Sequence, residues 1–518
     1  MQLLHNRYLH FLFIAILYIL TNGYLFNTGD QAEHLPQLYQ KLNPELYPHD
    51  FFLTYYNQTF TVRFYFVNFM YALAQLFGVE LSCFFVYIIC VYWAVAGVYF
   101  LFTCFTDNTA HTWIGVYFYL FFARYFVIGG NYFQDDMLVG SSIAEVMCVW
   151  AFVLLFRNKI YYAALLAGIA SLFQPLIGLH VAFIMGGALL IKHIKRKEWN
   201  VKTVWELLGF TAIYFAIAAF VLLPIALKQS GSTVNNEEAN KILYEYRGAL
   251  HYLPQLFPVK DYVLMIGFLL ASVVAIYYSA IINKQLLLTV IGFTITCTLL
   301  FAVYLLINPY SNLGKLQWFK TSVWINLLAA VCVTGILQFK SITFGKPLLF
   351  AGVVCICGWA GFKGFKNYTQ NKLPFCNTSE LTLAHEWILN NTPVDCIVLA
   401  PPNDYSFSCE AKRSMPVNYK AIVHEAPYLL QWKAGMEKYY GVDFAHLEKL
   451  NCLPEAVNGF YKINFSDYGN KEIDYVMLAK QQIPAGLYDN EQVCFSNKEY
   501  MVLKMNRAVI NYRVFLAR

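Results

Sequence analysis

A chain of 518 residues that is 58% hydrophobic and only 13% charged, with a mean hydropathy of +0.47, carries more apolar surface than one water-soluble core buries. A bilayer is its natural solvent. The formal charge of +6 sits largely in short basic clusters between apolar stretches, such as Lys192, Lys195, Arg196, Lys197 and Lys202, the pattern of cytoplasmic loops rather than of a nucleic-acid stripe.

The first apolar run, residues 8–26, is long enough to cross and lacks a small-residue cleavage site, so it reads as a retained helix. Arg7 before it favours a cytoplasmic N-terminus, which puts residues 27–61 outside. That loop runs Asn27-Thr28-Gly29-Asp30-Gln31-Ala32-Glu33-His34-Leu35-Pro36 and later Tyr47-Pro48-His49-Asp50. Acids three residues apart face one cavity if the segment turns helical, and a carboxylate at a bilayer boundary is costly unless solvated, paired or working. On one reading Asp30 takes the proton from an acceptor hydroxyl, while Glu33, His34 or Asp50 orients the acceptor or assists a divalent cation. On the other, Asp30 caps a helix starting at Gln31, and Glu33 and His34 lie on a wet loop.

Eleven further apolar stretches follow: 62–77, 82–105, 112–129, 137–156, 160–173, 176–191, 203–227, 262–282, 285–307, 321–337 and 347–362. The Lys and Arg of 157–159, 192–202, 284 and 340–346 fall on one side, which should be cytoplasmic. Residues 131–136, 228–261, 308–320 and everything after Lys363 then lie outside. An inside start and an outside end need an odd number of crossings, hence eleven or thirteen rather than twelve. Either 62–77 lies in the interface, or 82–129 hides an extra short or re-entrant pass. Arg124 marks that break or pairs with an acid.

Gln134-Asp135-Asp136 stands at the outer end of a span, as oxygen ligands for Mg²⁺ or Mn²⁺ or as a helix N-terminal cap. Glu145, about two turns into the next helix, should face a cavity or be paired and neutral. Gln174-Pro175 reads as a hairpin turn, with His180 one turn into the following span and a candidate to face the same cavity. Arg63, Arg247, Lys315 and Lys320 lie on or beside outside loops, and Arg413 lies farther on. They are candidates for a donor phosphate, or simply headgroup-facing charges. Lys315 and Lys320, flanking Gln317-Trp318-Phe319, are the best placed of them.

After Lys363 the composition becomes that of a soluble α/β domain. The predicted elements are a helix over 379–391 with Leu383, Trp387 and Ile388 on one face, a strand over 396–400 and a helix over 426–440. A strand over 474–479 and a hairpin of 492–496 with 500–504 complete it. Cys376, Cys396, Cys409, Cys452 and Cys494 allow one or two disulfides or remain buried thiols. No Walker loop, dinucleotide glycine fingerprint, HExxH or GxSxG elbow occurs, which speaks against a nucleotide-fuelled pump.

The wording GDQAEHLP followed by LNPELYPHD resembles the GT-C superfamily of integral membrane glycosyltransferases. So does His385-Glu386-Trp387 continued by Thr392-Pro393, Asp395 and Pro401-Pro402, then by Arg413, Tyr419-Lys420 and Gln431-Trp432. The resemblance touches both ends of the chain. It implies a polytopic α-helical membrane domain of about eleven to thirteen helices over 1–362 and an extracytoplasmic α/β domain over 363–518. It further implies a polyprenyl-phosphate or polyprenyl-pyrophosphate sugar donor, a glycan, lipid or protein acceptor, and a bacterial inner membrane with the C-terminal domain in the periplasm. Asp30 carries over as the base, with Glu33 beside it, and a metal on Asp30, Asp135 and Asp136 would assist. Many members place a second acid directly next to the first, where this chain has Gln31, and that puts Glu33 in doubt. A carrier of lipid-linked saccharides, or a non-catalytic membrane scaffold, are the competing readings.

Overall fold

The computed structural model describes residues 6–197, 200–230, 236–279, 281–335, 345–370, 372–374, 379–447, 450–462, 472–483 and 493–505. All twelve apolar stretches are helices: Arg7–Asn22, Phe64–Phe77, Val79–Phe102, Thr109–Phe121, Gly140–Phe156, Ile160–Phe173, Pro175–Arg196, Val201–Ser230, Val259–Tyr278, Lys284–Ile307, Ser322–Gly335 and Gly345–Thr369. Among the described residues six helical segments are long and apolar enough to cross a membrane: Val79–Phe102, Pro175–Arg196, Val201–Leu227, Val259–Tyr278, Lys284–Ile307 and Asn312–Gly335. Several expose large apolar side chains, for example Val263, Ile266 and Leu270, or Leu299, Leu300 and Val303. Such surfaces are stable against lipid and costly against water. The chain is a polytopic integral membrane protein.

The chain divides into two compact units. Unit 1 is Met1–Tyr24, Leu81–Ser230 and Leu250–Leu373; unit 2 is Leu25–Glu80, Gly231–Ala249 and Pro374–Arg518. Among the described residues, eleven of the twelve apolar helices belong to unit 1, Val79–Phe102 by all but its first two residues. The twelfth, Phe64–Phe77, folds with unit 2.

Within unit 1, Ile160–Phe173 packs tightly because it presents Ala163, Ala164, Ala167 and Ala170, all fully buried, and small residues let helix backbones approach. Gly23 ends the first helix with φ +87, and a Cβ there would lie 2.8 Å from the Lys372 carbonyl, so only glycine fits. The expected 112–129 span stops early: Thr109–Phe121 gives way to a 3₁₀ turn, Ala123–Tyr125. Arg124 sits in that turn and donates to the carbonyls of Phe133 at 2.8 Å and Gln134 at 2.7 Å. It therefore marks the break, and carbonyl oxygens rather than a carboxylate hold it there.

Unit 2 contains a four-stranded sheet in the order β1 (Val398–Leu399), β2 (Tyr475–Ala479), β4 (Tyr500–Lys504), β3 (Val493–Ser496). β1 is parallel to β2, and the other pairs are antiparallel. Helix Glu380–Asn391, capped by the Ser379 hydroxyl accepting from the Thr382 amide at 3.1 Å, covers the sheet with Ala384 and Ile388 against Val398, Met477 and Val502. Helix Ala426–Tyr440 has the expected bounds and stops at Gly441. One expectation changes. Leu383 is 46% exposed, and the buried face is Ala384, His385 and Ile388. The cysteines at 396, 409, 452 and 494 are free thiols; Cys376 lies outside the described residues.

Candidate active site

The segment after the first apolar helix folds in unit 2 as a 3₁₀ helix, Gly29–Glu33, entered through Gly29 at φ +58. In 3₁₀ geometry residues three apart eclipse, so Asp30 and Glu33 project from one side. Gln31 is fully buried, and its side-chain oxygen accepts the Asn27 amide at 2.8 Å. It closes the loop instead of doing chemistry.

Asp30 remains 58% solvent-exposed and pairs with the Lys420 ammonium. Burial among protein atoms pushes its carboxyl up, but the Lys420 charge and hydrogen bond, with Arg247 beyond, outweigh this and hold it well below the usual carboxylate range. Glu33 is half-buried in character, paired with Arg63, and the Arg247 guanidinium stands 3.9 Å from its other oxygen. His34 is pulled down to about 3 by burial and by the neighbouring Arg63 cation, so its imidazole stays neutral. Its Nδ1 is buried with no hydrogen-bond partner, and its ring meets Phe66 edge-on at 5.1 Å.

Lys420 is presented by a braced turn. The Asn418 side chain accepts from the amides of Lys420 and Ala421 at 2.8 and 2.9 Å, and Trp432 donates to the Asn418 carbonyl at 2.9 Å. Arg247, at the end of a π-helical turn, Ile242–Arg247, donates to the carbonyls of Tyr419 at 2.9 Å and Lys420 at 2.8 Å. Tyr405 and Tyr419 lie nearly parallel with centroids 6.4 Å apart. Arg247 covers the Tyr419 ring at 4.8 Å and Lys420 the Tyr405 ring at 5.8 Å. Three cations thus face two carboxylates beside a pair of aromatic rings. An excess of one positive charge suits an anion such as phosphate. It does not suit a divalent cation, which needs carboxylate oxygens that Lys420 and Arg63 here engage. Among the described residues no group of three or more His, Cys, Asp or Glu side chains is gathered for a metal.

The structure distributes the expected residues unevenly. Asp30, Glu33, His34, Arg63 and Arg247 come together in unit 2. Asp135, Asp136, Glu145, His180, Lys315 and Lys320 belong to unit 1. There Glu145 is buried and accepts the Gln134 amide at 2.7 Å. His180 is hydrogen-bonded to the Leu316 carbonyl at 2.8 Å and meets Trp318 edge-on at 4.8 Å, tying its helix to the turn that carries Lys315 and Lys320.

Two candidates change role. Arg413, expected on donor phosphate, is 2% exposed and spends its donors on the carbonyls of Leu389 and Thr392, both at 2.7 Å, and on the Thr392 hydroxyl. A guanidinium there satisfies the orphan carbonyls ending helix Glu380–Asn391 and opposes its dipole. Asp50, expected to assist the acceptor, caps helix Phe51–Tyr56 by accepting the Leu53 amide at 3.0 Å, and also accepts the Met415 amide at 3.0 Å.

Burial raises the Asp50 carboxyl to about 6 from 3.8, against the pull of those amides. The folded state therefore holds the proton more tightly than the unfolded chain. Its favourable contribution is complete below pH 3.8 and lost as the pH rises through 6. At pH 7.5 Asp50→Asn should lower the melting midpoint less than Asp50→Ala does, because its carbonyl oxygen still accepts one of the two amides and the buried charge is gone, while its NH2 leaves the other amide unpaired. Asp50→Ala should lower it, by about 1–3 kcal/mol for the two amides left unpaired. Thermal unfolding of the two variants checks this, and an Asn variant no better than Ala would refute it.

Lys420, Tyr405 and Tyr419 were not legible as site residues. The turn signal was present in Pro416-Val417-Asn418, since an Asn two residues before a Lys commonly folds back on that amide. Nothing local indicates that Asp30 is its partner.

A family model described as "Domain of unknown function (DUF6798)" matches residues 380–439, a stretch that contains Tyr405, Tyr419 and Lys420. No curated protein matches the chain. Among solved structures, the archaeal oligosaccharyltransferase AglB from Archaeoglobus fulgidus, in complex with an inhibitory peptide and a dolichol-phosphate, is similar with a TM-score of 0.48 and 12% identity. The likeness covers 92% of this chain and 70% of that one. At that identity no side-chain role passes from one protein to the other.

Proposed function

We propose that this chain is a membrane glycosyltransferase that moves a sugar from a polyprenyl-phosphate or polyprenyl-pyrophosphate donor to an acceptor outside the cytoplasm, with Asp30 as general base. The observation that carries the reading is the solvent-accessible Asp30 carboxylate held by Lys420, with Arg247 and the Tyr405–Tyr419 pair beside it. The orientation is supported by the composition of unit 2. Its residues 27–61, 231–249 and 374–518 come from the parts of the chain that the Lys and Arg distribution leaves outside.

In this reading Lys420 and Arg247 hold the donor phosphate, and the tyrosine rings offer apolar faces to the sugar. Glu33, clamped between Arg63 and Arg247, acts as a positioning residue that aims Arg247. When Lys420 turns toward phosphate oxygen, Asp30 loses its partner and regains basicity. It then accepts the proton as the acceptor oxygen or nitrogen attacks the anomeric carbon. The bond from that carbon to the phosphate oxygen breaks, and the departing charge is met by Lys420 and Arg247.

Transfer by the purified protein from synthetic polyprenyl-phosphate sugars tests the reading. Lys420→Ala should raise the donor KM at least about tenfold, and Lys420→Arg should recover part of that loss. An unchanged KM in Lys420→Ala would remove Lys420 from the donor site.

A further inference from the structure

A second recess lies within unit 2, bounded by the ends of β2 and β4 and by the turn after β1. Its volume is about 200 Å³, and its walls include Tyr461 and Tyr500, the amides of Asn403, Gln481 and Gln482, and the carboxyl groups of Asp404 and Glu499. That is below the roughly 300–1,000 Å³ of pockets for drug-sized ligands, and is the scale of one sugar ring.

The walls are rigid where they need to be. Asp404 is held on one oxygen by His385 Nε2 at 2.7 Å, and on the other by the Ser406 and Phe407 amides at 3.1 Å. The Tyr461 hydroxyl accepts the Ala479 amide at 3.2 Å, and Tyr500 lies in β4 opposite Ala479. The ligand-facing groups, by contrast, are unspent. Among the described residues the side chains of Asn403, Gln481, Gln482 and Glu499 make no hydrogen bond. Planar amides and a carboxylate with free valences match adjacent hydroxyl groups, and two tyrosine rings offer the apolar surface that a pyranose face covers.

The same walls reject other ligands. No Lys or Arg lines the recess, and two carboxylates do, so phosphate and other anions are repelled. It is too small and too polar for a lipid chain.

We infer that this recess binds a single neutral pyranose residue, at a site separate from the Asp30–Lys420 cluster. The two sites share a segment: Asp404 lines the recess, and the adjacent Tyr405 stacks on Tyr419. A sugar held here is one unit of a longer saccharide whose other units extend beyond the recess. The inference needs no transfer chemistry and stands whether or not Asp30 is a base.

Saturation-transfer NMR on the full chain, in a detergent without a sugar headgroup, tests it with glucose, galactose, mannose and N-acetylglucosamine. At least one should bind saturably with a Kd on the order of millimolar, as expected for so few atoms. Asn403→Ala combined with Gln482→Ala, both at exposed positions, should weaken that binding at least about tenfold without shifting the melting midpoint. Lys420→Ala should leave it unchanged, which separates this site from the donor site. Absence of saturable binding by all four sugars, or binding kept within about twofold in the double variant, would overturn the inference.

Discussion

An Asp30→Asn protein should fold, bind donor at least as tightly as the parent, and lose about 10²–10⁴-fold in transfer rate. Asp30 is 58% exposed, and among the described residues its side chain supports no backbone group, so the isosteric amide leaves the 3₁₀ turn intact. What changes is charge. Lys420 loses its resident counter-ion and becomes freer to engage phosphate, which should hold or lower the donor KM. The catalytic step loses its proton acceptor, and kcat falls. A structural lesion would raise KM and lower the melting midpoint as well, so the split between KM and kcat is diagnostic. Wild-type turnover by a folded Asp30→Asn protein would sink the general-base assignment. Asp30 sits below the usual carboxylate range because of Lys420. With the donor engaging Lys420, the acidic limb of the kcat profile should therefore lie at higher pH than that of kcat/KM.

What the sequence disclosed follows from the range of the interactions involved. Apolar runs are local, and each of the twelve became a helix. Helix Ala426–Tyr440 and the hairpin of β3 with β4 were likewise readable from periodicity and turn residues. The acidic spacing of Asp30 and Glu33 survived because i and i+3 share a face in a 3₁₀ turn as in an α-helix. Partnership over several hundred residues was not readable. Arg63, Arg247 and Lys420 are three of the 37 Lys and Arg, and only the tertiary fold brings them to one loop. Arg413 shows the converse: a basic residue that looks like a phosphate ligand serves the end of its own neighbouring helix. His385 rather than Leu383 turns inward, for an electrostatic reason. Two carboxylates from the 404–410 turn draw the polar ring inward, and the leucine is left outside.

That inward histidine carries the largest expected effect on stability. His385 is fully buried, with Nε2 2.7 Å from Asp404 and Nδ1 2.8 Å from Glu410. Burial pushes its pKa down, but the charges and hydrogen bonds of Asp404 and Glu410 prevail and raise it from 6.5 to about 9. The folded state thus keeps a proton that the unfolded chain releases near 6.5. The stabilising contribution is complete below pH 6.5 and is lost as the pH rises through 9. A shift of that size corresponds to something on the order of 3 kcal/mol. The melting midpoint of the wild-type protein should therefore fall steadily between pH 6.5 and 9. His385→Gln should start lower by about 3–5 kcal/mol, because it leaves two carboxylates without their cation in a buried site, and its profile should be flatter across the same window. Hydrogen exchange in helix Glu380–Asn391 would show the loss locally. A wild-type midpoint that is level from pH 6.5 to 9 would rule out the charged clamp, and a His385→Gln protein as stable as the parent would rule out any clamp. Asp404 also precedes Tyr405, so loosening the imidazolium should free that tyrosine from its place against Tyr419. Stability of the domain and order at the proposed sugar site should then fail together as the proton is lost.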